Sequence, residues 1–89
     1  MTPVVVTHAV GNMDTWLGGG EVRTKTFSRF CSGHRVFKHT DQDRVSIIFD
    51  NVGLDKMKTT FQSSEAAASK VQHTVIEPIE IYIEVKGGS

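Results

Sequence analysis

Hydrophobic and polar positions alternate most cleanly over residues 78–85, where Ile79, Ile81, Ile83 and Val85 fall on one face of a strand and Glu80, Tyr82 and Glu84 on the other. Burying each isoleucine is worth about 1.5–3 kcal/mol, so this strand calls for a covering layer. Residues 4–10, VVVTHAV, are β-branched and apolar on both faces, which is the pattern of a central strand. Gly11 and Asn12 break it, and either Asn12 or Asp14 can cap a following helix by accepting a hydrogen bond from an unpaired backbone N–H. Met13, Trp16, Leu17, Gly20, Thr24, Phe27 and Cys31 recur at helical spacing. Gly18-Gly19-Gly20 interrupts them, each glycine costing a helix about 1 kcal/mol relative to alanine. The spacing therefore predicts a weak, bent or broken first helix whose better half is residues 21–30.

Residues 34–39 alternate weakly, as an edge strand does, and residues 40–43 (TDQD) have the composition of a turn. Residues 44–50 are apolar enough on both faces for a second central strand, joined to the previous one as a hairpin. Leu54, Met57, Phe61, Ala68 and Val71 or Gln72 mark a second helix, with Asp55 in its first turn where the helix dipole favours a carboxylate. Glu77-Pro78 is expected to end everything before the last strand. The order β-α-β-β-α-β is the ferredoxin-like α+β arrangement, and right-handed crossovers give an antiparallel four-stranded sheet of order 4-1-3-2 with two helices on one face. That order centres the two strands that are apolar on both faces. It also leaves one face uncovered, so a homodimer is expected.

Composition narrows the partners. The 89 residues suit a single domain over 1–86, with 87–89 read as a flexible tail. Ten Lys and Arg balance ten Asp and Glu, and no basic run is present, which argues against nucleic acid as a partner. The apolar runs are too short to span a bilayer, so no membrane segment is expected. The lone Cys31 cannot form an internal disulfide, and the N-terminus lacks a charged region followed by an apolar one; both fit a cytoplasmic protein.

Chain direction gathers His8, Trp16, His39, Arg44, His73 and Glu80 at one end of the sheet, with His34 at the other. Histidine is the readiest general acid or base near neutrality. His8, on a buried strand, needs a hydrogen-bond partner whether it is structural or catalytic. His73 falls about 100° off the apolar stripe of the second helix, as a solvated helix-end residue or a proton-transfer group. Trp16 either packs in the core or stacks on a flat ligand. Tyr82 either polarises a carbonyl or packs in a subunit interface. The histidines lack the close spacing of a metal site, and Gly18-Gly19-Gly20-Glu21 lacks the Lys-Ser or Lys-Thr of a phosphate loop. Cys31 reads as a buried, inert thiol.

The element order resembles the dimeric α+β barrel superfamily, which includes antibiotic-biosynthesis monooxygenase-like domains, stress-responsive barrels, small polyketide cyclases and muconolactone-type isomerases. The resemblance spans residues 3–86 and rests on Val6-Thr7-His8, Asp14-Thr15-Trp16-Leu17, His34-Arg35-Val36-Phe37 and Val75-Ile76-Glu77-Pro78. The chain departs from the common pattern at Gly18 to Gly20. The resemblance implies two sheets closing into a barrel, and a cavity between sheet and helices for a small aromatic or polyketide-like ligand. Many such proteins need no metal or organic cofactor, and none is expected here. It further implies cyclase, isomerase or monooxygenase chemistry, with His8, His73 and Tyr82 catalytic and Trp16, Phe27, Phe61 and His39 against the substrate. The alternatives are a non-catalytic small-ligand or stress-response module, and haem binding with His73 as axial ligand.

Overall fold

The computed structural model describes residues 2–85, so the tail expected at 87–89 lies outside the described residues. The chain runs β1 (Thr2–Val10), α1 (Met13–Leu17), α2 (Gly20–Phe27), β2 (Gly33–Lys38), β3 (Arg44–Val52), α3 (Leu54–Phe61), α4 (Ser64–Gln72) and β4 (Val75–Ile83). All strand pairs are antiparallel, in the order β2-β3-β1-β4. This is the expected 4-1-3-2 sheet read from its other edge.

Strand period 2 decides which side chains meet the helices. Val4, Val6, His8 and Val10 of β1 point to the helix side, opposite Phe49, Ile47 and Val45 of β3, and all seven are buried. Phe49 is fully buried and meets Phe27 and Phe30 edge-on at 4.8 and 5.2 Å. Such geometry sets the positive ring edge against the negative ring face. The opposite face carries two cross-strand rows, Arg35-Ile48-Val5-Tyr82 and Phe37-Ser46-Thr7-Glu80. Phe37 and Tyr82 are about half exposed there.

Both helical segments are broken. The first breaks at Gly18-Gly19, as the glycine run predicts; Asn12 caps α1, its Oδ1 accepting from the Thr15 N–H at 2.9 Å. The second, expected as one continuous helix, stops at Phe61 and restarts at Ser64, with the Ser63 hydroxyl accepting from the Ala66 N–H at 3.1 Å. A serine at this position offers the backbone an alternative to continuing the helix. The consequence is rotational. A continuous helix would bury Ala68 and Val71; instead both are exposed, Val71 at 82%, and Ala66 and His73 turn inward.

A second difference concerns β4, which begins at Val75 rather than after Pro78. Thr7 pairs with Glu80 but Ala9 pairs with Ile76, so three residues, Glu77, Pro78 and Ile79, bulge opposite His8. Proline has no N–H for the ladder, and an edge strand with a bulge is where a sheet tolerates it. No helix among the described residues is long and apolar enough to cross a membrane.

Candidate functional site

A cavity of about 460 Å³ opens between the sheet and the helices. Its walls are mainly apolar, with Val6, Ile47 and Ile81 from the sheet and Trp16, Phe27 and Phe61 from the helices. The polar groups reaching it include His8, Arg23, Ser69 and His73, with Lys70 and Glu77 pairing at 3.3 Å. An apolar chamber with a few convergent polar groups is the usual form of a small-molecule site.

His8 reaches the cavity because β1 alternation sends even-numbered residues to the helix side. Its Nδ1 lies 2.9 Å from the Ala9 carbonyl oxygen. A carbonyl only accepts, so Nδ1 carries the proton, and in the neutral ring Nε2 keeps its lone pair. Burial holds the imidazole below its ordinary value of 6.5; the Ala9 hydrogen bond opposes this, and the positive charges of Arg23 and Arg44 reinforce it. His8 is thus a neutral base at pH 7, its ring edge-on to Trp16 at 5.8 Å.

His73 caps α4, and the break at Ser63 is what turns it inward to 6% exposure. Its Nδ1 lies 3.1 Å from the Ser69 hydroxyl. Gly19 makes the room, since a Cβ at that position would sit 2.6 Å from Nε2. The glycine run, which the sequence marks both as a helix breaker and as a packing or hinge feature, serves a close approach between the α1–α2 junction and His73. Burial, then Arg23, pushes His73 below 6.5 as well.

Arg23 is the residue that the sequence pattern hid. It is 8% exposed, its guanidinium carbon lies 3.6 Å over the Trp16 ring, and Nη1 donates to the Trp16 carbonyl. The buried row through α1, α2 and the turns flanking α2 runs Trp16, Gly19, Arg23, Phe27, Phe30, and an arginine in that row is invisible to a search for apolar periodicity. Two groups expected at the site lie elsewhere. Tyr82 is on the opposite face of the sheet, its hydroxyl 3.4 Å from Glu80, because its position alternates with those of Ile81 and Ile83. His39 is exposed at the β2–β3 turn, where Nδ1 accepts from the Asp41 and Gln42 N–H groups at 3.0 Å each. Arg44 and Glu80 form an ion pair at 3.8 Å away from the cavity lining. Cys31 is half-buried, its Sγ donating to the Phe27 carbonyl, and burial raises its pKa.

Among the described residues, no group of three His, Cys, Asp or Glu is placed to hold a metal ion. His73, the axial ligand of the haem alternative, has Nδ1 beside the Ser69 hydroxyl and Nε2 against Gly19.

No protein-family model and no curated protein matches the sequence. Solved structures do. A Bordetella bronchiseptica protein assigned to the antibiotic biosynthesis monooxygenases superposes with a TM-score of 0.74 at 18% identity, over 96% of this chain and 95% of that one. The fold is that of the antibiotic biosynthesis monooxygenases. This monooxygenase-like fold is shared with a Nitrosomonas europaea protein given the same assignment, at a TM-score of 0.59 and 9% identity over 99% and 94% of the two chains. It is shared too with SnoaB from Streptomyces nogalater, a cofactor-independent oxygenase, at a TM-score of 0.61 and 13% identity over 94% and 89%.

Proposed function

We propose that this chain works as a homodimeric, cofactor-independent oxygenase of small planar aromatic compounds, with His8 as the catalytic base. The observation that carries the reading is His8 itself, a buried neutral imidazole whose Nδ1 is tied to Ala9 and whose Nε2 keeps its lone pair, standing edge-on to Trp16 in an apolar cavity. An imidazole fixed in one tautomer and kept uncharged by its surroundings is suited to removing an acidic C–H proton. The SnoaB likeness supports an oxygenase over a cyclase or isomerase.

In the proposed reaction His8 takes a proton from an activated ring methylene, leaving a carbanion delocalised over the aromatic frame. One electron passes to dioxygen, the radical pair couples to a C–O bond, and the peroxide regains the proton from the imidazolium. Loss of water leaves a carbonyl, so CH2 and O2 become C=O and H2O. Apolar walls exclude water while the carbanion lives. His73 with Ser69 is the second proton-transfer pair.

Oxygen uptake with an anthrone tests the reading. His8→Ala is expected to lower kcat by about 10²- to 10⁴-fold, the usual contribution of a general base, with an unchanged circular dichroism spectrum. A chain that binds the anthrone without consuming oxygen is a binding module instead, and a His8→Ala variant as active as the parent removes His8 from the chemistry.

A further inference from the structure

Arg23 is a buried cation without a counter-charge. It is 8% exposed, none of the ion pairs among the described residues includes it, and its Nε finds no hydrogen-bond acceptor. Its stacking on Trp16 and its bond to the Trp16 carbonyl hold the guanidinium in place. They do not neutralise it. Removing a charge from water without pairing it is costly, and interiors normally pair such groups. The remaining charged lining residues do not supply the partner, because Lys70 and Glu77 engage each other and His8 and His73 are neutral or positive. The cavity therefore carries an unmatched positive charge against an aromatic wall.

We infer that the cavity is built for an aromatic anion, with Arg23 as the receptor for a carboxylate or acidic enolate on the edge of the ligand. A guanidinium presents parallel N–H donors that match two oxygens of a delocalised anion. Trp16, itself fully buried, fixes the plane of the fork, and the partly buried Phe61 of the same lining offers the ligand ring a surface. The inference rests on the same cavity as the proposed oxygenase but not on turnover. It names what a ligand must carry to be held.

Calorimetric titration with 2-naphthoate and 2-naphthamide, two ligands of one shape differing in charge, tests it. Trp16, the only tryptophan, reports through its emission whether the cavity is filled. The naphthoate is expected to bind about tenfold or more tightly than the amide, the worth of one charge-assisted contact. Arg23→Gln should bring the two within about twofold, and Arg23→Lys should keep part of the gap. Removing Lys70 and Glu77 together, as the double variant Lys70→Gln, Glu77→Gln, leaves the charge of the lining unchanged and should leave the gap intact; it serves where Arg23→Gln does not fold. Equal affinities in the parent chain overturn the anion receptor while leaving the aromatic cavity standing. A gap that survives Arg23→Gln, or vanishes with the double variant, assigns the role to another group and overturns it too. Failure of both ligands to bind overturns the receptor and the aromatic cavity together.

Discussion

His8, His34 and His73 share one electrostatic fate. Burial lowers all three below 6.5, and the charge of Arg23 adds to this in each case. A histidine whose folded value lies below its unfolded one binds a proton more readily in the unfolded chain. Its contribution to stability is therefore intact above about pH 6.5 and is lost as pH falls toward the folded values. The urea midpoint is expected to be level from pH 7 to 8 and to drop between pH 6.5 and 5; a midpoint unchanged at pH 5 would contradict the burial of these rings. Single residues were unevenly legible. Trp16 was readable because helical spacing aims it inward, and His8 was readable as a residue of a buried central strand, though which face of the sheet it takes was not. Arg23 was not, because its position depends on the Trp16 ring and carbonyl that receive it, and neither contact leaves a trace in local periodicity.

Between helices the glycine run makes a sharp contrast. Gly19→Ala places a Cβ 2.6 Å from the His73 ring, which must then move. The expected cost is about 1–3 kcal/mol, as for other insertions into a filled space, outweighing the gain of about 1 kcal/mol in helix propensity. Gly20→Ala meets nothing within 4 Å and is expected to stabilise by up to about 1 kcal/mol. Thermal unfolding of the two variants should move in opposite directions, and equal shifts would mean that His73 does not occupy the space beside Gly19. The break at Ser63 works at the same scale. Burial shifts from Ala68 to Ala66, two positions at about 100° each, so α4 buries a face about half a revolution from the one a continuous helix would have hidden. Apolar spacing over Leu54, Met57 and Phe61 located α3, but extending it to Ala68 and Val71 assumed a continuity that a serine cap and tertiary packing overrode.

Across the whole molecule, the helices cover one face of the sheet and leave Ile48 and Val5 near the middle of the other, flanked by Tyr82 and Phe37. We propose this as the homodimer face, with Tyr82 as an interface residue. Light scattering coupled to size exclusion should give twice the chain mass for the parent. Ile48→Arg, which puts a charge in the centre of that face, should yield a monomer with a lower unfolding temperature. A parent chain that stays monomeric at tens of micromolar would end this assignment.

The strand order and the central places of β1 and β3 were set by the sequence alone, because period-2 patterning and right-handed crossover are local or chiral constraints on the chain. Tertiary structure alone decided that His73 turns inward, that Arg23 sits unpaired over Trp16 and that Tyr82 belongs to the far face. Each of these depends on the rotation or register of one element against another, set by a helix break, a missing Cβ and the alternation of β4 beside β1. Those relations arise only when the elements meet, through packing and desolvation that no single stretch of chain can specify.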